Sequence, residues 1–301
     1  MDKVSVIVVT FKGMKWYDRC FTSLIHSDTP LNIIVIDNAS DDGSTDYIKM
    51  HYPEIHIIAS KENLGFGRAN NLGIRYALDH GAQYVFLLNQ DAWIEPDTIA
   101  ELISISQTHP EYGILSPIHL NVTENKIEKL LLQRLDDSRT TDPDLFDDLF
   151  FHRLKDVYET KYVNAAAWFV PRKTFEMIGG FDPIFFHYGE DDNFINRVMY
   201  HGLKIGICPK LTIVHDNDRP RPLYDSRERE VLMLIDYTNV NRRHDIAYDM
   251  RQHRLKSIKS LIKGRRKVAQ QHYEDYCWLK KHRRGLETSV ITNRELGPHW
   301  F

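Results

Sequence analysis

The sequence predicts an α/β domain, a mostly parallel sheet with helices on both faces, followed by a basic helical extension. Three observations predict it. Short β-branched and aliphatic runs alternate with segments of helical periodicity over about the first 120 residues. The runs are apolar at consecutive positions, as strands covered on both faces must be. Polar clusters fall where the runs stop, and ligands of such sheets bind beyond the carboxyl ends of the strands.

The elements follow in order. Val4–Thr10 (VSVIVVT) is the first strand. Met14, Tyr17, Phe21, Leu24 and Ile25 recur at helical spacing. Asn32–Asp37 is a second strand, closed by the turn-forming cluster Asn38–Ser44, with a capped helix starting near Thr45. His56–Ala59 is a third strand. Gly65–His80 reads as a helix whose apolar contacts come from Leu72, Ile74, Tyr76 and Leu78, stopped near Gly81. Tyr84–Leu88 is a fourth strand running into Asn89-Gln90-Asp91. Pro96 opens a helix to about Gln107, and Gly113–Ile118 is a fifth apolar run. Residues 121–160 are polar and acidic and break this rhythm, so we expect an excursion or lid there. Order returns at Tyr162–Pro171, a short helix from Arg172 to Ile178, a helix over Asp191–Tyr200, and short strands at Lys204–Cys208 and Leu211–His215. From about Tyr224 the pattern is helical and basic. We expect domains at 1–218, divided near residue 120, and 219–301.

Composition narrows the class. Of 301 residues 42% are hydrophobic and 27% charged, enough for a sizeable core, which excludes global disorder. No apolar run approaches the roughly 18 residues of a membrane span. The opening run reads as a strand and not a signal peptide, and Cys20, Cys208 and Cys277 form no CxxC pair, so a reducing cytoplasm is expected. Charge is unevenly placed. Residues 219–301 hold 19 Lys and Arg against 10 Asp and Glu, or +9, while residues 1–218 hold 20 against 32, or −12.

Several clusters can carry chemistry, each with a plain alternative. Asp91 after a buried strand, with Asn89 two positions earlier, offers oxygen to a hard cation such as Mg²⁺ or Mn²⁺; a strand-ending turn explains it too. The loop from Asp37 and Asn38 can hydrogen-bond a nucleotide base or simply turn the chain. Asn63, Gly65 and Gly67 precede a helix, where the backbone can approach an anion; a tight turn is the alternative. Glu190-Asp191-Asp192 at a helix start either complements the helix dipole or supplies a general base. The aromatic stretch Phe185–Tyr188 before it can desolvate a carboxylate. His215, one of 15 histidines, ends a strand and is a candidate metal ligand.

Taken in this order, VSVIVVTF, IIVIDNASDDGS, NLGFGRANNLGI, FLLNQDAWIEPD, the GGFD of Gly179–Asp182, FFHYGEDDNFINR and a late strand ending in His resemble the family 2 glycosyltransferases with the GT-A fold, closest to their bacterial rhamnosyltransferase-like branch. The resemblance spans residues 3–217. It implies an inverting transferase moving a sugar from a dTDP- or UDP-linked donor to a hydroxyl of a glycan or lipid-linked acceptor in bacterial cell-surface polysaccharide synthesis. It implies that Thr10, Asp37 and Asn38 contact the nucleotide, with Asn63 and Gly65 near it. Asp91 would bind a divalent cation, Asn89 stands where many relatives carry Asp, and His215 is a further ligand. Glu190 and Asp191 match the family's acidic pair, with Asp191 the base, and Arg197 matches an Arg on the same helix. Gly180 and Asp182 would shape the acceptor side.

Rivals fare less well. A sugar-nucleotide nucleotidyltransferase carries a Gly-rich loop after its first strand, where this chain has Thr10-Phe11-Lys12-Gly13-Met14. Asp91 and the acidic pair speak against a non-catalytic nucleotide-sugar-binding protein. A dinucleotide oxidoreductase would need a glycine fingerprint that is missing here. Residues 251–284 hold 12 Lys and Arg and only Glu274 and Asp275 as acids, beside the apolar positions Leu255, Ile258, Leu261 and Ile262. They suit either an anionic membrane surface at the inner face of the cell membrane or packing on the protein or a second subunit, as in a homodimer. No nucleic-acid-binding module accompanies the charge.

Overall fold

Val4, Val6 and Val8 face one side of the sheet and Ile7 the other, and all four are buried. Burial on both sides is why the run is apolar at consecutive positions. The computed structural model describes residues 3–129, 131–132, 142–217 and 226–301. Strand β1 (Val4–Thr10) lies between β2 (Leu31–Asp37) and β4 (Tyr84–Asn89), parallel to both, and β3 (His56–Ala59) is parallel to β2. Beyond β4 the sheet is mixed. β8 (Ala167–Pro171) is antiparallel to β4 and to β6 (Tyr112–Leu120). β6 is parallel to β9 (Lys204–His215), which also pairs antiparallel with β5 (Ala92–Ile94) and β7 (Tyr158–Glu159). The strand order is β3-β2-β1-β4-β8-β6-β9-β5. The parallel expectation thus describes the first half; β8 runs inside the sheet, between β4 and β6 and opposite in direction to both.

Helices α1 (Met14–Ile25), α2 (Ser44–His51) and α4 (Thr98–Thr108) cover the face of Val6 and Val8. Helices α3 (Gly65–Asp79), α5 (Asp144–Phe150), α6 (Arg172–Ile178) and α7 (Glu190–Tyr200) cover the face of Ile7. The α3 packing differs from the sequence expectation at Leu72, which is 41% exposed. Its buried face is made of small residues, Gly67, Ala69, Gly73 and Ala77, around Ile74. A β-carbon on Gly73 would stand 2.6 Å from Ile7 Cγ2, so the helix lies close on β1.

Two further differences lie at β9. It is one strand, and its register against β6 slips between Cys208 and Thr212. Pro209, which has no N–H for the ladder, sits in the slip. The three-residue β5 is too short to show in the sequence pattern. The expected lid at 121–160 lies partly outside the described residues; within them, residues 121–128 double back on the end of β6 through a Leu120–Ile127 bridge.

The chain divides into two units, Met1–Leu223 with Leu296–Phe301, and Tyr224–Glu295. The boundary expected at 218–219 falls outside the described residues. Leu296–Phe301 belongs to the first unit and not to the extension. Gly180 N donates to His299 O at 2.9 Å, Gly297 N to Met177 O at 2.8 Å, and the Phe301 ring lies 6.3 Å from that of Phe175. The second unit comprises α8 (Ser226–Tyr237), α9 (Ile246–Ile262) and α10 (Arg266–Arg294). No helix among the described residues is long and apolar enough to cross a membrane.

Candidate functional site

The parallel register brings Thr10 and Asp37 side by side at the carboxyl ends of β1 and β2. Both are buried, and the Asp37 carboxylate accepts from Thr10 Oγ1 at 3.4 Å and from Ser40 N at 3.1 Å. It thereby holds the loop through Ala39, whose φ of +64° is a conformation that L-residues seldom adopt and that concentrates at functional sites. Asn38 commits its whole amide to the protein. Its nitrogen donates to Asn63 Oδ1 at 3.0 Å and Gly65 O at 3.1 Å, and its oxygen accepts from Leu64 N at 2.7 Å. It therefore straps the loop after β2 to the start of α3. Gly65, at φ +77°, is required there: a β-carbon would stand 1.8 Å from Phe186 O. Two distant sequence pieces, residues 63–67 and 185–190, thus meet.

Asp91 and His215 lie 124 positions apart in the chain and meet through β5. Its antiparallel register pairs Ala92 with His215, and Asp216 N donates to Asp91 O at 2.8 Å. His215 Nε2 stands 3.4 Å from Asp91 Oδ1 and 3.4 Å from the Asn89 amide nitrogen. A carboxylate oxygen of Asp91 and an imidazole nitrogen of His215 converging in this way are donors that Mn²⁺ or Mg²⁺ accepts, so these two residues fit the cation the resemblance implies, while Asn89 turns its amide nitrogen towards the ring.

Sequence reasoning missed what stands behind the imidazole. The turn after β6 brings in Glu128, whose Oε2 lies 3.2 Å from His215 Nδ1 and 3.4 Å from His119 Nδ1. Asn164 donates to Oε2 at 3.2 Å and Asn217 to Oε1 at 3.0 Å. All three members of the His119–Glu128–His215 group are buried. Burial disfavours the Glu128 charge, but the hydrogen bonds from His119 and His215 outweigh it and hold the carboxyl well below its usual range. Burial alone would lower the His215 pKa; Asp91 and Glu128 on its two nitrogens outweigh that and raise it to about 9. Burial pushes His119 down. A readable signal for Glu128 was the cluster of Asn121, Thr123, Glu124 and Asn125 directly after an apolar run, which marks a chain reversal.

On the other flank, Gly189 (φ +88°) caps the start of α7, whose first turn carries Glu190, Asp191 and Asp192. Glu190 points inward and is buried, its Oε2 without a hydrogen-bond partner, and its Cβ faces Gly67 of α3. Burial, with the Asp191 and Asp192 charges adding to it, raises its pKa to about 8. Asp191 is partly exposed; its Oδ2 accepts from Tyr162 Oη at 2.7 Å and its Oδ1 from Asp192 N at 2.9 Å. Tyr162 is a second residue that sequence reasoning passed over as part of a strand entry. Arg197, fully enclosed, donates to Asn193 Oδ1 at 3.1 Å, Ile178 O at 2.7 Å and Gly180 O at 2.5 Å, which fixes the Gly179–Asp182 turn. Burial lowers its pKa to about 10, with Asp182 opposing.

Comparisons with known proteins fit this architecture. The family described as glycosyl transferase family 2 matches residues 5–164, and the one described as the N-terminal domain of galactosyltransferase matches residues 157–218. The low-salt glycan biosynthesis hexosyltransferase Agl10 of Haloferax volcanii is 26% identical over 248 residues, covering 79% of this chain and 74% of that protein. The N-acetylglucosaminyl-diphospho-decaprenol L-rhamnosyltransferase of Mycobacterium tuberculosis is 23% identical, covering 71% and 76%. The dTDP-rhamnosyl transferase RfbF of Shigella flexneri is 21% identical, covering 71% and 69%. Among solved structures, S. aureus TarS residues 1–349 in complex with UDP superposes with a TM-score of 0.57 at 15% identity, covering 82% of this chain and 69% of that one. GalNAc-T7 with UDP, GalNAc and Mn²⁺ superposes with a TM-score of 0.60 at 15% identity, covering 83% and 50%. At that identity the superpositions speak to the GT-A-like fold.

Proposed function

The chain belongs to glycosyl transferase family 2, and on that premise we propose that it is an inverting transferase that moves a sugar from a nucleotide-diphospho-sugar to a hydroxyl of a glycan or lipid-linked saccharide. One observation carries this reading: on the segment entering β8, Tyr162 holds a solvent-reaching acid, Asp191, and Asn164 holds Glu128, which stands behind the metal-type corner of Asp91 with His215. A single displacement needs those two functions, a base for the acceptor and charge for the leaving group, in one rigid frame.

In this mechanism Asp191 accepts the proton of the acceptor hydroxyl. The oxygen forms a bond to the anomeric carbon as the bond from that carbon to the diphosphate breaks, and the nucleoside diphosphate leaves with the electron pair. The anomeric configuration inverts. Tyr162 orients the Asp191 carboxylate, which has lone pairs left for the incoming hydroxyl. Asp91 and His215, with Asn89 beside them, would hold a Mg²⁺ or Mn²⁺ ion, which when bound supplies positive charge to the leaving diphosphate. Thr10 and Asp37, with the loop that Asn38, Asn63 and Gly65 brace, form the nucleotide end of the cleft. The names of the relatives favour a dTDP-rhamnose or other hexosyl donor, a polyprenyl-diphosphate-linked saccharide or glycan acceptor, and a place in glycan synthesis.

The test is a donor panel of dTDP-rhamnose, UDP-glucose, UDP-galactose and UDP-N-acetylglucosamine with saccharide acceptors and Mn²⁺ or Mg²⁺. Donor binding, nucleotide release and the anomer of the product are measured. Asp191→Asn should retain donor binding and lose transfer, and Asp91→Ala should weaken metal-dependent donor binding. A retained anomeric configuration, or near-normal turnover in Asp191→Asn, would sink the mechanism.

A further inference from the structure

The hairpin of α9 and α10 turns at Lys263-Gly264-Arg265, with Gly264 at φ +69°. Gly264 N donates to Leu261 O at 2.9 Å and Arg265 N to Ser260 O at 2.9 Å, the pair of bonds that closes a helix end tightly. From Arg254 to Val268 this tip carries seven Lys and Arg and no Asp or Glu. All seven are exposed.

The same stretch exposes large apolar side chains. Leu255, Ile258 and Ile262 fall at i, i+3 and i+7, one stripe of α9, with Leu261 beside them and Val268 across the turn. Ile262 is 81% exposed and Leu261 58%. On the inner side Ser257 and Ala269 are buried and hold the helices together, Ser257 Oγ donating to Ala269 O at 2.8 Å. Further along α10 the pattern ends. Asp275 is ion-paired with Arg229, and Leu279 and Leu286 are buried. The unusual surface is therefore the tip and not the whole basic extension.

Two physical costs meet there. Exposed Leu and Ile side chains keep apolar area in water. Lys256, Lys259 and Lys263, at helical spacing with no acid among them, repel one another. A partner must relieve both at once. A nucleic acid would answer the charge and leave the stripe wet. A second copy of the tip would cover the stripe and set seven positive charges against seven more. A bilayer bearing anionic lipid offers phosphate at its surface and hydrocarbon just beneath it. We propose that residues 254–268 dock on an anionic lipid bilayer, with Ile258, Leu261 and Ile262 entering the headgroup boundary and the surrounding Lys and Arg on lipid phosphates. The proposal is independent of the transfer chemistry, and its test needs neither donor nor acceptor.

The experiment is co-sedimentation of the full chain with phosphatidylcholine vesicles, with and without about a third phosphatidylglycerol. Wild type should partition to the anionic vesicles, lose roughly fivefold in binding for each basic residue removed, and be released by high salt. Leu261→Glu with Ile262→Glu should lower partitioning at least tenfold, with helical circular dichroism unchanged because both positions are exposed. Lys263→Gln, Arg265→Gln, Arg266→Gln and Lys267→Gln together should abolish it. Equal binding of wild type and both variants, or no preference for anionic vesicles, overturns the proposal. So does a solution dimer that the variants dissociate while wild type ignores vesicles, or tip-dependent binding of nucleic acid in place of lipid.

Discussion

Tyr162 and Asn164 stand two residues apart on the segment entering β8, and each donates to one acid of the site. Tyr162 Oη reaches Asp191 Oδ2 at 2.7 Å, and Asn164 Nδ2 reaches Glu128 Oε2 at 3.2 Å. Glu128 in turn holds His215, and His215 faces Asp91. One short stretch of backbone therefore sets both the acid on α7 and the corner at the ends of β4 and β9. Positioning of this kind, more than any single reactive group, is what a displacement between two bound substrates demands.

Removing the Tyr162 hydroxyl tests the first of these links. Tyr162→Phe keeps the ring in its buried place and takes away one charge-assisted bond to Asp191. We expect kcat to fall about tenfold or somewhat more, from the usual worth of such a bond, with KM for the donor and the melting temperature little changed. A variant that lost donor affinity and kept kcat would assign Tyr162 to the donor cleft.

Glu128 tests the second link. Glu128→Gln preserves shape and removes the charge that fixes the His215 ring. Carboxylates behind a ligating histidine typically contribute ten- to a hundredfold in metal affinity, so Mn²⁺ binding followed by electron paramagnetic resonance should weaken by about that factor. Glu128→Asp should recover part of it, because the charge returns at a shorter reach. Unchanged Mn²⁺ affinity would reduce Glu128 to a structural group.

The sequence was most legible where local pattern carries the information. β1, β2 and β4 are covered on both faces, so their residues announce strands, and the polar residues that end them, Thr10, Asp37 and Asn89, announce the rim. What stayed hidden depends on pairing over long distances. Asp91 meets His215 only because three residues of β5 find the far end of β9. Glu128 sits in a polar stretch where an acid reads as solvated, and only the reversal after Leu120 takes it inside. Glu190 and Asp191 are neighbours in sequence, but a helix turns about 100° per residue, so one faces the core and the other the cleft. In the excursion after β6 no periodicity distinguishes a lid from a loop.

Arg197 offers a test of the frame itself. Its guanidinium satisfies two carbonyls, Ile178 O and Gly180 O, that no Lys can reach together in that fork geometry. Arg197→Lys should lower the free energy of unfolding by about 3 kcal/mol, the order expected for a buried charged hydrogen-bonding network broken on one side. Chemical denaturation would measure it. Stability within about 0.5 kcal/mol of wild type, the scatter of ordinary surface substitutions, would mean the Gly179–Asp182 turn holds without it.

Glu190 makes the stability of the protein depend on pH in an unusual direction. Its carboxyl is buried with one oxygen unpartnered, and burial raises its pKa from 4.5 to about 8. Between those values the folded chain keeps a proton that the unfolded chain has released. Its contribution to stability is therefore fully present below about pH 4.5, is lost progressively as pH rises, and is gone above about pH 8. Glu190→Gln carries the uncharged form at every pH. Calorimetry should find the variant more stable than wild type above pH 8 and no more stable near pH 4.5, with the difference between the two proteins growing steadily across that interval. A pH-independent difference would mean that Glu190 ionises freely in the fold, and its inward position would then need a partner that compensates the charge.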